Sequence, residues 1–184
     1  MKPGELKEAV ENLTHESFPL DTWLQWFNEA LSDLTPVLKL ETYETVNIAG
    51  TENANIPGDI HDVIKITLND KTIYRSAVDD HSNKSNYWFW DGQIYFPETK
   101  SGTIKIWYYR RPDLFTLRSD AIDIQPAYYD AVILYAAAKS KNPDRWISDK
   151  NSFYQDYIIR KAQIEKERRD ETRRPRKIRA TLYR

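Results

Sequence analysis

The chain has 184 residues, a formal net charge of −1 and no cysteine. This length suits one ordinary domain with its own core, and the lack of cysteine excludes disulfides, thiolate nucleophiles and Cys-ligated zinc sites. The N-terminus lacks the apolar segment of a signal peptide, and no run of 18 apolar residues occurs. We therefore expect a soluble protein made in the cytosol, with no membrane contact.

Charge is distributed unevenly along the chain. Residues 1–62 hold 12 Asp or Glu against 3 Lys or Arg, whereas residues 173–184 hold 6 Lys or Arg and no acid. Opposite charges at the two ends favour head-to-tail contact between copies or with partners.

Two helices are predicted in the first part of the chain. Apolar side chains recur at spacings of three and four over residues 5–13, as in an amphipathic helix. A second helix is expected to start with Asp21 as its N-cap carboxylate and to end before Pro36, which cannot continue a helix.

The middle of the chain is predicted to be β-rich, with five or six strands joined by short turns in a small antiparallel sheet or sandwich. Alternation with a period of two begins at Val37, which indicates a strand interrupted near Tyr43, and residues 50–59 are predicted to be a loop. Two hairpins follow, with turns at residues 69–70 and 91–92. Residues 103–109 are predicted to form one further strand.

Helical structure is predicted to return after Pro126, and three consecutive alanines at 136–138 indicate close helix packing. Residues 142–144 (Asn-Pro-Asp) should interrupt the helical structure, and a last helix is expected over about residues 148–169. Pro175 and dense positive charge then predict an extended arm. The apolar side of the last helix is expected to carry Phe153, Tyr157, Ile158 and Ile164.

These elements together predict an α+β fold. Residues 1–36 and 125–170 should form a helical bundle, and residues 37–124 should form an inserted antiparallel β-sheet or sandwich. Residues 171–184 should form an extended basic C-terminal arm.

The sequence contains no recognisable catalytic, nucleotide-binding or metal-binding motif. His61 and His81 lie next to aspartates, but each cluster falls within one short loop, so polar loop chemistry is favoured over a metal site. Carboxylates are numerous, and an acid–base pair among them is not excluded by the sequence. We expect no cofactor, no metal and no enzymatic activity.

Aromatic residues are concentrated at 87–90, 95–96 and 107–109. They have the chemistry of a stacking platform for single-stranded nucleic acid. Few Lys or Arg lie in these segments, however, which favours aromatic side chains that alternate between a core and a protein contact surface.

The basic C-terminal segment is the sharpest feature of the sequence. It has three interpretations: it binds nucleic acid through phosphates, it docks on an acidic protein surface, or it serves as a solubilising tail. Apolar and aromatic anchors interleaved with arginine favour protein docking. The candidate residues are Arg173, Arg174, Arg176, Lys177, Arg179, Leu182 and Tyr183.

The order of several segments resembles the head-to-tail adaptor (connector or gatekeeper) proteins of tailed bacteriophages, over about residues 5–170. The segments that carry the resemblance are Glu5-Leu6, Trp23–Leu31 (WLQWFNEAL), Ile56–Asp59 (IPGD), Ile104–Arg110 (IKIWYYR), Pro112–Leu114 and Tyr128–Ala138.

The resemblance implies a structural virion protein that forms a ring, usually of twelve copies, beneath the portal protein. Such a ring joins the portal to a tail tube or nozzle protein and lines the passage for packaged DNA, without sequence specificity. In similar proteins the C-terminal segment reaches the portal, and residues 173–184 match that position here. The alternative is a nucleic-acid-binding module that uses the arginine-rich tail and the aromatic strands, and an enzyme with unrecognised carboxylate chemistry ranks third.

Overall fold

The computed structural model describes residues 1–77, 83–116, 124–141, 147 and 151–173. Within these residues the protein is α+β, with four α-helices, one short 3₁₀ helix and five strands. The chain divides into two compact units, Met1–Leu38 with Asp113–Arg184 and Lys39–Pro112. The first unit holds the helices and the second holds the strands, and we call them the helical unit and the sheet unit.

The helical unit begins with α1 (Pro3–Thr14), close to the predicted range. The backbone N–H of Lys2 donates a 2.7 Å hydrogen bond to Glu5 Oε2 and so caps the first turn. Leu6 and Val10 are fully buried, as the apolar stripe predicts, whereas Leu13 at the end of the predicted stripe is 45% exposed. The helix ends at His15, whose left-handed φ of 58° stops further winding.

Helix α2 (Leu20–Leu38) differs from its predicted bounds at both ends. Asp21 lies inside the first turn instead of at the N-cap, and the Pro19 carbonyl accepts the first backbone bonds, from the N–H groups of Thr22 and Trp23. The predicted stop at Pro36 is also wrong, because the helix continues through Leu38. Leu38 is fully buried, so its packing offsets the backbone hydrogen bond that proline cannot donate.

A 3₁₀ turn (Pro126–Tyr128) leads into α3 (Tyr129–Lys141), which contacts both α1 and α2. The three alanines at 136–138 are fully buried, which confirms the predicted close packing. The predicted interruption of helical structure at residues 142–144 lies outside the described residues.

Helix α4 (Ser152–Arg173) packs against α2 and α3. Tyr157 and Ile164 are buried as predicted, and Phe153 is half-buried. Ile158 is 41% exposed, so its predicted place on the buried side is wrong. It follows Tyr157 by one residue, which turns it about 100° around the helix, away from the contact with α2 and α3.

The sheet unit contains five strands in one sheet with the order β1-β5-β2-β3-β4. The central strand β5 pairs in antiparallel fashion with β1 on one side and with β2 and β4 on the other. Because β3 also pairs with both β2 and β4, strands β2 to β5 close into a small barrel. The strands are β1 (Leu40–Asn55), β2 (Ile60–Leu68), β3 (Lys71–Arg75), β4 (Asn86–Trp90) and β5 (Gln93–Arg110).

Strands β1 and β5 are longer than predicted. β1 begins at Leu40, runs through Tyr43 without interruption and includes residues 50–55 of the predicted loop. The segments predicted as separate strands at 93–96 and 103–109 belong to one strand, β5. The irregularity lies where the two strands pair, at Gly50 (φ 62°) and Gly102 (φ 132°), two residues able to adopt positive φ without strain.

The two predicted hairpin turns are confirmed. Asn69 and Asp70 have φ of 48° and 62°, and Asp91 and Gly92 have φ of 44° and 71°, as type I′ turns require. The pairing of β3 with β4 is parallel, which departs from the predicted antiparallel sheet.

The sheet unit has its own hydrophobic core, formed by residues of the barrel strands together with Ala54 of β1. Its buried residues are Ala54, Ile66, Ile73, Tyr87, Ile94, Phe96, Ile104, Ile106 and Tyr108. In the described part of the chain, no helix combines the length and the apolar character needed to cross a membrane.

Candidate assembly surfaces

A carboxylate on α2, Glu29, joins that helix to α3. It accepts hydrogen bonds from Lys139 Nζ, from Tyr135 Oη at 3.4 Å and from Gln25 Nε2 at 2.9 Å. Burial raises the pKa of Glu29, but the hydrogen bonds and charge of Lys139 together with Gln25 outweigh it, and the pKa ends below its ordinary value. Glu29 therefore stays ionised as a structural anion.

A second carboxylate on α2, Asp33, joins that helix to α4 in the same manner. It accepts hydrogen bonds from Tyr157 Oη and from Lys161 Nζ, the latter at 2.7 Å. Burial, followed by the hydrogen bond to Asp33, raises the pKa of Tyr157 far above its ordinary value. Tyr157 is 1% exposed, whereas the Asp33 side chain is 43% exposed, so this contact lies at the boundary between the interior and the surface of the helical unit.

The two contacts share one pattern, which the sequence analysis missed. The carboxylates are four residues apart on α2, and in each case the tyrosine and lysine are four residues apart on the partner helix, so that they lie on one helix face. A repeated Tyr-x-x-x-Lys spacing in two helices is the signal that could have identified them.

Arg160 fastens α4 to the start of α3. Its guanidinium donates to Asp130 Oδ2 at 2.7 Å, to the Ala127 carbonyl at 2.6 Å and to Glu167 Oε1 at 3.1 Å. Burial lowers the pKa of Arg160. Its hydrogen bond to Asp130 and the charge of that carboxylate raise the pKa by more than burial lowers it, so the pKa ends above its ordinary value.

Lys141 closes the helical unit at the opposite end of α3. Its ammonium donates to the Thr14 carbonyl at 2.6 Å and pairs with Glu16 at 3.1 Å, where α1 ends. Glu16, like Glu29 and Asp33, is thus paired with a lysine from the C-terminal helices. Some of the acidic side chains of residues 1–62 therefore stabilise the fold through ion pairs and do not form an open acidic surface.

Asn28 holds the segment that returns to the helical unit after the sheet. Its side chain accepts from the Phe115 N–H at 2.7 Å and donates to the Phe115 carbonyl at 3.0 Å. The Phe115 ring also lies 6.0 Å from the Phe27 ring, centroid to centroid. The amide thus satisfies both backbone groups of one residue.

An exposed apolar surface lies on α4. Ile158 and Ile159 are 41% and 57% exposed, although the rest of the helix is strongly polar. Adjacent exposed isoleucines on a polar helix are typical of a protein contact surface.

One face of the sheet carries aromatic and lysine side chains. Tyr43 pairs across the strands with Trp107, and Lys105 Nζ lies 4.1 Å and 4.9 Å from the centroids of these two rings. Lys65 Nζ approaches Trp107 from β2 at 5.4 Å. Cation–π contacts of this kind stabilise the face by about 0.5–1 kcal/mol each where it is exposed.

Most of the other strand aromatics serve packing. Tyr87 and Phe96 belong to the barrel core, and Trp88 is buried with its ring stacked 6.2 Å from that of Tyr95. Trp90 is 61% exposed. This distribution favours the interpretation in which aromatics alternate between core and surface.

The turn at residues 56–59 is fixed to the end of β5. Tyr108 Oη donates to Asp59 Oδ1 at 2.9 Å, and the Arg111 N–H donates to the Asp59 carbonyl at 2.7 Å. Burial and the hydrogen bond to Asp59 raise the pKa of Tyr108 to about 12. A segment that carries the adaptor resemblance therefore has a structural role.

Two grooves lined by described residues of the sheet unit are smaller than a typical small-molecule site, about 300–1,000 Å³. His61 lines a groove of about 160 Å³ with Asp62, Arg75 and Phe89. A second groove of about 230 Å³ is lined partly by lysines. Among the described residues no group of three His, Asp or Glu lies close enough to hold a metal ion, and His81 falls outside them.

The predicted arm lies almost entirely outside the described residues. Arg173 is the last residue of α4, and Arg174, Arg176, Lys177, Arg179, Leu182 and Tyr183 follow it. The role predicted for these side chains stays a prediction.

A family model described as SU10 adaptor protein matches residues 1–179, which spans both units and the start of the arm. The chain belongs to the SU10 adaptor protein family. This is a family of phage head-to-tail adaptors, so the resemblance seen in the sequence is confirmed. No curated protein matches the chain.

Membership of the SU10 adaptor family supports a phage adaptor role and a place in the virion at the head–tail junction. It also implies interaction with phage portal and tail proteins. A structural adaptor family favours a non-enzymatic protein. The carboxylates and helix contacts described above are accordingly interpreted as parts of a structural subunit.

Proposed function

We propose that this SU10-family adaptor forms a ring, with twelve copies as the expected number, that joins the portal protein to the tail tube or nozzle protein. The observation that carries the proposal is the family match, which extends over residues 1–179 and so includes both units. Packaged DNA passes through the ring without sequence-specific contacts.

Side-chain contacts join the helices of the helical unit, which suits a subunit of a ring. Glu29 and Asp33 tie α2 to α3 and α4, and Arg160 ties α4 to α3. In this proposal the four helices act as a bundle, and the exposed Ile158 and Ile159 contribute to contacts between copies. Side-chain contacts that join the helices in this way support a subunit whose helices keep their relative positions in an assembly.

The basic arm is proposed to bind the portal. Leu182 and Tyr183 act as the anchors, because apolar and aromatic side chains dominate binding energy at protein interfaces. The cationic side chains of Arg173, Arg174, Arg176, Lys177 and Arg179 steer the arm to an acidic surface and set its orientation.

Mass measurement of the purified chain, alone and mixed with its portal protein, tests the proposal. We expect a closed ring bound to the portal, whether or not the chain is monomeric by itself. A chain that stays monomeric and unbound in the presence of the portal would overturn the proposal.

Variants of the arm separate portal binding from nucleic-acid binding. Replacing Leu182 and Tyr183 by alanine should weaken portal binding by about 10-fold or more, whereas Thr181→Ala is the matched control and should have little effect. If the arm instead binds nucleic acid, the anchors should be dispensable. Replacing its arginines by glutamine should then reduce a DNA affinity that falls steeply with salt.

A further inference from the structure

In the part of the chain that the structure describes, no strand lies beside β1 at one edge of the sheet. Strand β1 pairs with β5 along its length, and none of the described residues forms a backbone ladder on its other side. From Leu40 to Ile48 the register with β5 is uninterrupted. Within it, the outward backbone N–H and C=O groups of residues 42–48 therefore form a regular template for another strand.

The edge lacks several of the features that usually protect an open strand from pairing. β1 contains no proline, lysine or arginine, and its register shifts occur only after Ile48. β-branched residues, including Thr42, Thr45 and Val46, favour an extended conformation. Natural edges are normally shortened, bulged, covered or given lysine and proline, so this edge is suited to being covered.

The core is also incomplete on this side. Leu40, Val46 and Ile48 are only half-buried, whereas Ile104 and Ile106 on the adjacent strand are fully buried. A strand added beside β1 would remove more of these apolar side chains from water, which favours the addition.

Charge selects the kind of strand that fits. The 16 residues of β1 include three glutamates and no lysine or arginine, and all three glutamates are exposed. Glu44 lies within the regular stretch of the edge, and Glu52 lies beyond it. Two copies of β1 paired with each other would bring these like charges together, which disfavours self-pairing. A strand that carries lysine or arginine has the complementary charge.

We infer that residues 42–48 bind an extended basic segment of a partner virion protein by strand addition. This inference rests on the proposed function, and it adds a second contact to the one made by the arm. Main-chain hydrogen bonds supply much of the affinity, and the glutamates select for a cationic partner strand.

Amide hydrogen exchange, read by mass spectrometry on the full chain, tests the inference. The chain is compared alone, bound to the purified portal protein and bound to the purified tail protein. In the isolated chain the outward amides of residues 42–48 should exchange rapidly, and in one of the two complexes they should slow by about 10-fold or more.

Charge variants test the chemistry of the partner. Glu44→Lys should weaken binding of the protecting partner by about 10-fold and Glu44→Gln by less, because Glu44 is exposed and its loss leaves the fold intact. Glu8→Lys, the same change on the exposed side of α1, is the matched control and should leave that binding unchanged.

The outcomes separate this inference from the proposed function. If a complex forms but residues 42–48 stay unprotected, the inference is wrong and the adaptor function stands. If neither complex forms, the proposed function fails and the inference fails with it. Protection that appears in the isolated chain and disappears on dilution would assign the edge to a second copy. Protection that requires residues 174–184 would assign it to the chain's own arm, and either result overturns the inference.

Discussion

The phenol of Tyr157 on α4 donates a hydrogen bond to the carboxylate of Asp33 on α2, and this contact joins a buried tyrosine to a partly exposed carboxylate. Lys161, one turn further along α4, donates to the same carboxylate at 2.7 Å. Two helices from opposite ends of the chain are therefore joined by one anion with two donors. The strength of this joint can be measured.

Replacing Tyr157 by phenylalanine should lower the free energy of unfolding by about 1–2 kcal/mol, since the buried phenol loses a hydrogen bond to a charged group. Denaturant unfolding provides the measurement. Tyr74→Phe is the matched control, because Tyr74 is 63% exposed, and it should change stability by less than about 0.5 kcal/mol. Equal effects of the two variants would contradict a structural role for the Tyr157 contact.

Glu29 predicts a component of acid sensitivity. Its pKa in the folded protein is below the ordinary value of 4.5, so its stabilising contribution is present above about pH 4.5 and is lost as the pH falls through the lower, folded value. Glu29→Gln should be less stable than the wild type at neutral pH, and the difference should shrink in acid. Thermal unfolding at a series of pH values measures this, and a difference that is constant with pH would show that Glu29 is not held in its ionised form.

Gly102 should not tolerate a side chain. Its φ is 132°, and a Cβ there would lie 2.1 Å from Asn69 Oδ1. The same Oδ1 accepts the Thr103 N–H at 2.9 Å, so the asparagine cannot move without losing that bond. Gly102→Ala should cost about 2–4 kcal/mol of stability.

Gly58→Ala is the control for the Gly102 variant, because no heavy atom lies within 4 Å of a Cβ at Gly58 and its φ is not positive. It should change the denaturation midpoint little. A Gly102→Ala protein as stable as Gly58→Ala would show that the contact between Asn69 and β5 is not tight.

Replacing Asn28 by aspartate should lower the stability of the protein more than the small change in side-chain size would predict. Asn28→Asp keeps the shape but places a negative charge against the Phe115 carbonyl, which now receives a 3.0 Å hydrogen bond from the amide. We expect Asn28→Ala to lose about 1–2 kcal/mol and Asn28→Asp to lose at least as much at neutral pH. Gln163→Ala on the exposed face of α4 serves as the control, and a fully stable Asn28→Asp would contradict the double hydrogen bond.

Local patterns anticipated much of the fold. The apolar spacing of α1, the buried alanines of α3 and the two turns at residues 69–70 and 91–92 follow from side-chain periodicity and from the backbone angles that turns require. These features depend on neighbours within a few residues. They are visible without knowing what packs against them.

Errors occurred where distant contacts outweighed a local preference. Pro36 is a helix breaker by its chemistry, yet α2 continues because Leu38 is buried. Ile158 suits an apolar helix face, yet it is exposed on α4. The length of β1 and β5 depends on each strand providing the partner for the other.

From its residue order alone, the chain could be assigned an α+β composition, a cysteine-free chemistry and a resemblance to phage adaptors, because these depend on residue type and short-range spacing. The pairing of Asp33 with Tyr157, the closure of the barrel through β3 and the open edge of β1 required the folded structure. Each of these joins residues far apart in the chain, and which distant groups meet is set by packing of the whole fold.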